Sequence, residues 1–280
     1  MTEGDILARF EENLVSTGMA PTTIANYLAD IRDFSCWING LHHPETSLLD
    51  VTADHVRRYC QALRRQERSA ATINRRLQAV RKFYDFGRQL GLSSHNPARD
   101  VERLDEQSAD SPHILSADEV RKLLRAVGDG MDGLSRRDRA VLLLLLDTGI
   151  RVRELVDLRL DDLGLDVGSG YVLVGQDLQS GGRYLALGPE TCAALRAYLR
   201  VRAPAHGVDH LFVNRQGRSL STRSVQRLVA NHARAAGLEG VSAYTLRNTF
   251  AHDALEQSDP SEVAQLLGLR DVTGLRRYRG

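Results

Sequence analysis

Residues 147–155 read DTGIRVREL and directly follow the apolar run at residues 141–146. The apolar run predicts a buried helix, and Gly149 marks its end because glycine readily adopts the left-handed conformation that closes helices. Arg151 comes just after this end, with Glu154 three residues further on. An arginine at such a place is either a cap of the helix or part of a polar site at the edge of the core.

Two later segments also combine a predicted helix with a charged or reactive side chain. Residues 244–250 read YTLRNTF, with Arg247 in the middle, and residues 267–269 read LGL, nine residues before Tyr278. Taken singly, Arg247 fits a charge on a helix surface and Tyr278 fits an aromatic side chain near a chain end. Their meaning depends on whether the three segments belong together.

The first hundred residues predict a series of helices. Thr22 and Thr23 are predicted to cap one helix, a second is predicted over residues 52–65, and a third begins near Ser69 and stops at Gly91. The third helix buries apolar side chains at three-and-four spacing: Ile73, Leu77, Val80, Phe83 and Tyr84.

A polar, acidic stretch at residues 100–112, DVERLDEQSADSP, separates two parts of the chain. It offers almost nothing to bury, and the capping box SADE at residues 116–119 then opens a new helix. We therefore predict an N-terminal helical domain at residues 1–104, a linker at 105–112 and a C-terminal domain at 113–280. A chain of 280 residues is long enough for two domains with a core each.

The C-terminal part also predicts a little β-structure. Short β-like runs at residues 171–174 and 183–187 flank the Ser-Gly-Gly sequence at 180–182, which predicts a hairpin. Helical patterning resumes after it. The expected fold is therefore mainly α with a small β-sheet in the C-terminal domain.

Basic residues are concentrated in the N-terminal part, although the formal net charge is only +1. Residues 51–100 hold eleven basic side chains against four acidic ones, whereas residues 101–150 hold seven against ten. A basic block in a near-neutral chain is typical of binding to a phosphate backbone, and a solvated helix face is the alternative. The predicted DNA-binding residues lie on the third helix: Arg75, Arg76, Arg81 and Lys82.

The composition argues against several other classes of protein. The longest apolar run, residues 140–146, is far shorter than the ~18 residues of a membrane helix, and no secretory signal opens the chain. The three scattered cysteines match no zinc-ligand spacing, so no metal is expected, and they fit buried thiols of the cytoplasm. They are Cys36, Cys60 and Cys192.

Taken together and in this order, the three segments resemble the boxes of the tyrosine recombinase (phage-type integrase) family, most closely its Xer-like branch. TGIRVREL is similar to the first box, TGLRxSEL, and YTLRNTFA to the second, HxLRHTFA. LGLRDVTGLRRYRG is similar to the third, LGHSSIxTTxxYxH, with Tyr278 at the same spacing. The stretch from SAATINRRLQAVRKFY onward resembles the last helix of the family's DNA-clamping domain, so the resemblance spans nearly the whole chain.

The resemblance implies a two-domain, C-shaped DNA clamp with a SAM-like N-terminal domain and a catalytic C-terminal domain. It also implies site-specific recombination or integration, in which a tyrosine attacks a DNA phosphodiester and forms a 3′-phosphotyrosyl bond. By resemblance Tyr278 is the nucleophile and Arg151 and Arg247 hold the phosphate. Glu154 either orients Arg151 or forms a structural ion pair.

The implied partners are double-stranded DNA, further copies of the chain in a tetramer on two DNA sites, and a partner recombinase or accessory protein. No membrane is expected, and the implied location is the cytoplasm, at the nucleoid. The phosphotyrosyl bond keeps the energy of the phosphodiester, so the strands are rejoined with no cofactor.

Several positions depart from the family pattern. Gln176 stands where the hairpin of the family has a lysine as general acid, and Arg183 is no simple replacement because arginine is a poor proton donor. Tyr244 replaces the histidine of the second box and still offers a hydrogen bond, whereas Leu269 replaces the histidine or tryptophan of the third and does not. We therefore expect slow chemistry, or a partner that supplies the missing group. Only two residues follow Tyr278, where the family commonly has a segment that docks on the next protomer, so we expect a truncated chain or other contacts between protomers.

Two other functions stay open at this point. A catalytically weak or inactive relative that binds DNA and assists an active partner fits the missing lysine and histidine. A relaxing topoisomerase of the related type IB class shares the chemistry, although the Xer-like N-terminal half argues against it.

Overall fold

The computed structural model describes residues 2–41, 48–104, 113–128, 132–166, 169–175 and 182–278. The chain divides into two compact units, Met1–Ser108 (unit 1) and Ala109–Gly280 (unit 2). The predicted linker at residues 105–112 lies outside the described residues. Within the described ranges, no helix has both the length and the apolar character needed to cross a membrane.

Unit 1 is built from helices whose starts follow from local hydrogen bonding. Thr52 and Ser69 are N-caps, because their hydroxyls accept the backbone N–H groups of His55 at 3.4 Å and Thr72 at 3.2 Å. The predicted helix starts at these two residues are therefore confirmed. The helices are α1 (Glu3–Ser16), α2 (Pro21–Leu41), α3 (Ala53–Arg65) and α4 (Ala70–Gln89), with a 3₁₀ turn at Leu48–Asp50.

The predicted caps of α2 are wrong. The helix begins at Pro21, so Thr22 and Thr23 lie inside its first turn, and the N–H of Ile24 donates to the carbonyl of Ala20. Proline is favoured at the first helical position because its fixed φ matches a helix and its missing N–H has no intrahelical partner there. Pro21 thus outweighs the capping tendency of the threonines.

The core of unit 1 lies between α4 and the other helices. α4 contacts α1, α2 and α3 and buries the apolar stripe predicted for it. The rings of Phe10 and Phe83 meet edge to face with their centroids 5.4 Å apart, and Phe34 and Tyr59 pack in the same way at 4.9 Å.

Unit 2 is mainly helical with one small antiparallel sheet, as predicted. The strands are β1 (Leu163–Asp166), β2 (Ser169–Val174) and β3 (Arg183–Ala186), and Val172 of the central strand pairs with Leu163 on one side and Leu185 on the other. The predicted hairpin is the β2–β3 pair. β1 was not predicted, since its four residues, LGLD, are too few for a recognisable alternation. The helices are α5 (Ala117–Ala126), α6 (Gly133–Thr148), α7 (Val152–Asp157), α8 (Pro189–Leu199), α9 (Thr222–Ala235), α10 (Ala243–Gln257) and α11 (Pro260–Leu266).

α6 is the central helix of unit 2. Residues 140–145 are all buried, because apolar side chains cover every side of this part of the helix, and the helix packs against α8 and α10. It closes at Gly149, whose φ is 58° and where a Cβ would lie only 2.4 Å from Cδ1 of Phe250. Both the positive φ and the lack of space for a Cβ therefore require glycine here, which confirms the predicted end of the helix. The position of this glycine also determines where the chain leaves the core before Arg151.

Candidate active site

Arg151 is the residue that precedes α7, and Glu154 holds it in two ways. The Glu154 carboxylate accepts the backbone N–H of Arg151 at 2.9 Å and its Nη1 at 2.9 Å. Nη2 of Arg151 donates to the carbonyl of Gly268 at 2.7 Å, and 41% of the arginine side chain is exposed. The ion pair with Glu154 therefore orients a guanidinium that solvent, or a ligand, still reaches.

Arg247 lies one turn inside α10 and is buried. Its Nε donates to the Tyr278 hydroxyl at 3.2 Å, its Nη2 to the carbonyl of Leu267 at 2.7 Å, and its Nη1 to the carbonyl of Gly149. Burial lowers the pKa of this guanidinium, and the hydrogen bond with Tyr278 opposes that effect. Three acceptors on three segments thus compensate a cation that would otherwise be costly to bury.

One pocket of about 500 Å³ brings together the residues that the sequence analysis predicts as catalytic. Tyr278 ends the 3₁₀ helix Val272–Tyr278 and is 2% exposed, whereas Tyr244 is 51% exposed with its ring centroid 6.5 Å from that of Tyr278. The predicted residues that line the pocket are Arg151, Tyr244, Arg247 and Tyr278.

Two guanidiniums and a phenol in one pocket suit phosphoryl transfer. Guanidiniums are permanently charged and offer forked N–H donors, so they stabilise negative charge that builds up on phosphate oxygens. A phenol oxygen is a nucleophile that takes the phosphoryl group covalently. Among the described residues that line the pocket there is no lysine and no histidine, so neither of the usual general acids is present in that set.

The departures from the family pattern also fall around this pocket. Leu269 lines it with an apolar side chain, as expected from its replacement of histidine or tryptophan. Gln176, by contrast, lies outside the described residues. Its predicted place on the hairpin stays a prediction.

Arg183 and Gly268 are neighbours of the site whose contacts were not predicted from the sequence. Arg183, at the start of β3, donates from Nη2 to the Glu154 carboxylate at 3.0 Å. Gly268 has a φ of 59° and accepts the hydrogen bond from Arg151. The pairing of Arg183 with Glu154 joins positions 29 residues apart, so no local pattern signals it, whereas the glycine in LGL was a visible sign of an unusual backbone.

Three of the four predicted DNA-binding residues of unit 1 form ion pairs or hydrogen bonds within the unit. Arg75 and Arg76 form ion pairs with Asp30 and Asp33 of α2, and Arg76 also donates to the hydroxyl of Tyr59 at 3.1 Å. Burial raises the pKa of the Asp30 carboxyl, which the charge of Arg75 opposes. The Arg75 side chain is 44% exposed, against 16% for Arg76.

Arg81 holds the segment after α4. Its Nε donates to the carbonyl of Ala98 at 2.9 Å and its Nη2 to that of Val101, while Lys82 borders a surface pocket together with Asp85 and Arg88. DNA contact by these residues stays a prediction. Because Arg76 is largely buried and Arg81 is bound to backbone carbonyls, Arg75 and Lys82 are the better candidates for contact with DNA.

Comparison with known protein families matches both units. Residues 7–90 match the family model described as the phage integrase N-terminal SAM-like domain, and residues 113–280 match that of the phage integrase family. The second match alone covers more than half of the chain.

Individual relatives give the same picture. A tyrosine recombinase XerD of Listeria monocytogenes is 30% identical over 275 residues, which cover 95% of this chain and 90% of the relative. A tyrosine recombinase XerC of Alcanivorax borkumensis is 31% identical over 265 residues, which cover 93% and 83%. In fold, the chain is similar to a lambda integrase dimer bound to a COC′ core site, with a TM-score of 0.76, 20% identity, and coverage of 100% of this chain and 77% of the other.

Proposed function

The chain belongs to the phage integrase family, as an Xer-like tyrosine recombinase, and from that premise we propose that Tyr278 cuts and rejoins DNA in the pocket described above. The observation that carries the proposal is the convergence of Arg151, Arg247 and Tyr278 on one pocket, with Arg247 Nε 3.2 Å from the Tyr278 hydroxyl. A phosphate bound in this pocket therefore lies close to the nucleophile.

The reaction is a transesterification. The Tyr278 oxygen attacks the phosphorus of the scissile phosphodiester, the bond from phosphorus to the 5′-oxygen breaks, and a 3′-phosphotyrosyl bond forms. The phenol loses its proton and the departing 5′-oxygen gains one. Attack by the 5′-hydroxyl of another strand reverses these steps, so the protein needs no cofactor.

Arg151 and Arg247 have different tasks in this proposal. Arg151 is the more exposed of the two and has N–H capacity beyond its bonds to Glu154 and Gly268, so it receives the non-bridging phosphate oxygens. Arg247 is fixed by carbonyls and by Tyr278, so it aligns nucleophile and phosphate. Preorganised donors of this kind are each worth about 10²–10³ in rate.

Protonation of the departing 5′-oxygen lacks the lysine that the family carries on the hairpin. Tyr244 is the exposed hydroxyl beside Tyr278, and we assign it a hydrogen bond to the phosphate rather than the role of acid. Without a lysine on the hairpin, departure of the 5′-oxygen limits the rate, because general acid catalysis typically contributes about 10²–10⁴-fold.

An alternative function is that of a DNA-binding relative with weak or no catalysis. The apolar Leu269 in the pocket and the replacement of the family's lysine by Gln176 favour it. In that case the protein occupies its DNA site and an active partner carries out the exchange.

For the assembly, we propose a tetramer of four copies on two DNA sites, with an accessory protein or partner recombinase setting direction. The proposed location is the cytoplasm, at the nucleoid. Unit 1 is proposed to bind the phosphate backbone through Arg75 and Lys82.

The two functions are separated by a nicked suicide duplex that carries the site selected by the protein from a random-sequence library. One version has an ordinary scissile phosphate, and the other has sulfur in place of the bridging 5′-oxygen, which leaves without protonation. The recombinase accumulates covalent complex on both and faster on the sulfur version. Tight binding with no covalent complex on either version contradicts the catalytic proposal and supports the DNA-binding relative.

A further inference from the structure

Three consecutive carbonyls at the end of α11 each accept a hydrogen bond from a different arginine. Leu266 accepts from Nε of Arg183 at 2.7 Å, Leu267 from Nη2 of Arg247 at 2.7 Å, and Gly268 from Nη2 of Arg151 at 2.7 Å. The last carbonyls of a helix lack intrahelical partners and carry partial negative charge, so they attract cations. Two of these arginines line the pocket, but Arg183 does not.

Arg183 and Arg151 also share one carboxylate. Oε1 of Glu154 accepts Nη1 of Arg151 at 2.9 Å and Nη1 of Arg183 at 3.1 Å, while Oε2 accepts the backbone N–H of Arg151 and Nη2 of Arg183 at 3.0 Å. Glu154 thus receives a forked pair from Arg183 and uses its remaining capacity on Arg151.

We propose that Arg183 is a positioning residue for Arg151, acting through Glu154. The proposal rests on the function proposed above, because its purpose is to aim Arg151 at the scissile phosphate. Arg183 takes no part in proton transfer and does not replace the missing lysine. Arg183 holds the Glu154 carboxylate in place, and that carboxylate in turn holds Arg151.

Burial distinguishes the two arginines. The Arg183 side chain is 16% exposed and directs Nε, Nη1 and Nη2 to Leu266 and Glu154, whereas 41% of the Arg151 side chain is exposed. Arg183 is therefore committed to internal acceptors, and Arg151 is the one that a ligand reaches. An arginine whose guanidinium is hydrogen-bonded along both of its edges has little freedom to move.

Gly268 allows the two guanidiniums to lie close together. A Cβ at this position would lie 2.8 Å from Nη1 of Arg183 and 2.9 Å from Nη1 of Arg151, and its φ of 59° also favours glycine. Two like charges so near each other repel, and the Glu154 carboxylate between them offsets the repulsion. Burial raises the pKa of this carboxyl, but the hydrogen bonds and charges of Arg183 and Arg151 outweigh burial and leave the pKa lowered, so Glu154 stays ionised. The Arg247 guanidinium also acts on Glu154 electrostatically.

The test compares Arg183→Gln with two other single variants, Arg183→Lys and Arg202→Gln. Arg202 is a matched control, since it is also half-buried in unit 2 and donates to the carbonyls of Val208, His210 and Leu211 away from the pocket. Thermal melting identifies variants that are folded. Covalent complex is measured on the nicked phosphorothiolate duplex, DNA affinity by fluorescence anisotropy, and exposure of Arg151 by phenylglyoxal modification followed by peptide mass spectrometry.

Arg183→Gln is expected to slow covalent-complex formation by about 10–100-fold, the scale of a small misplacement of a catalytic group, while DNA affinity is retained. Phenylglyoxal modifies Arg151 faster in this variant, because the Glu154 carboxylate is no longer fixed by Arg183 and holds Arg151 less firmly. Arg183→Lys recovers part of the loss, since it restores the positive charge but not the two parallel N–H donors of the guanidinium. Arg202→Gln behaves like the wild type in covalent-complex formation and in phenylglyoxal modification of Arg151.

A double variant shows whether Arg183 acts through Glu154. Glu154→Gln combined with Arg183→Gln is expected to cleave at the rate of Glu154→Gln alone, whereas independent roles multiply the two losses and overturn the proposal. Equal modification of Arg151 in wild type and Arg183→Gln also overturns it. If the wild-type protein forms no covalent complex at all, the proposed function fails, and modification of Arg151 alone decides the positioning role.

Discussion

Replacing Arg247 with alanine removes the side chain that joins three segments of unit 2. The carbonyls of Gly149 and Leu267, at the ends of α6 and α11, each lose a donor, and the Tyr278 hydroxyl loses its bond from Nε. A buried acceptor left without its donor costs about 1–3 kcal/mol. Two such carbonyls, less the relief of a buried charge, give a loss of about 3 kcal/mol in the free energy of unfolding, and for a unit of this size Tm falls by about 6–12 °C.

Urea and thermal unfolding of Arg247→Ala and wild type measure this loss, and cleavage is then assayed at a temperature where both are folded. We expect cleavage to fall by at least about 10²-fold in the folded variant. Arg202→Ala serves as the control, because it removes donors from backbone carbonyls of the same unit and should lose stability without losing cleavage. An unchanged free energy of unfolding in Arg247→Ala refutes the role assigned to the carbonyl bonds, and equal loss of cleavage in Arg202→Ala shows that the assay reports folding alone.

Other predictions concern the remaining charged groups and the joint between the units. Arg75→Ala should weaken binding to specific and random duplexes alike and lower the salt slope by about 0.9, and a loss confined to the specific site contradicts a phosphate contact. Limited proteolysis should first cut between residues 100 and 112, whereas initial cutting inside residues 141–146 contradicts the two-domain interpretation. The pKa of Glu154 is lowered on folding, so its contribution to stability is present above pH 4.5 and is lost as the pH falls through the folded value; Glu154→Gln should flatten this acid-side loss in a pH series of urea unfolding curves. A lysine introduced by Gln176→Lys should speed cleavage of ordinary DNA more than that of the 5′-phosphorothiolate, and equal gains on both contradict the missing-acid explanation.

The parts of the fold that the sequence predicted well are those determined by local chemistry. Ser116 and Glu119 form the predicted capping box, with the Ser116 N–H 2.8 Å from the Glu119 carboxylate, and Gly149 ends α6 in the left-handed conformation. Both depend on a few neighbouring residues. The caps of α2 failed for the same kind of reason, since Pro21 competes locally with the threonines and prevails.

Charge counting along the sequence overstated how much basic surface is free. Arg75 and Arg76 were counted as positive charges on α4, but Asp30 and Asp33 approach them from positions 45 and 43 residues away in the chain. Such pairing depends on how α2 packs against α4, and a count by sequence window does not contain that information.

The residues of the candidate site were predicted from the sequence, but the contacts that hold them in place were not. The resemblance selected Arg151, Arg247 and Tyr278, and the structure brings them to one pocket. Arg183 was considered only as a substitute for the lysine and was rejected as a poor proton donor. Its contact with Glu154 joins residues 29 positions apart, so no motif indicated it.

Mapping the covalent adduct determines whether Tyr278 carries the chemistry. Complex trapped on the nicked 5′-phosphorothiolate duplex is digested with protease and nuclease, and the modified peptide is sequenced by mass spectrometry, with Tyr278→Phe as the control. We expect one adduct, a 3′-phosphate of DNA on Tyr278, and no adduct in Tyr278→Phe although that variant still binds the duplex. An adduct on another residue, or an equal yield of adduct from Tyr278→Phe, shows that Tyr278 is not the nucleophile.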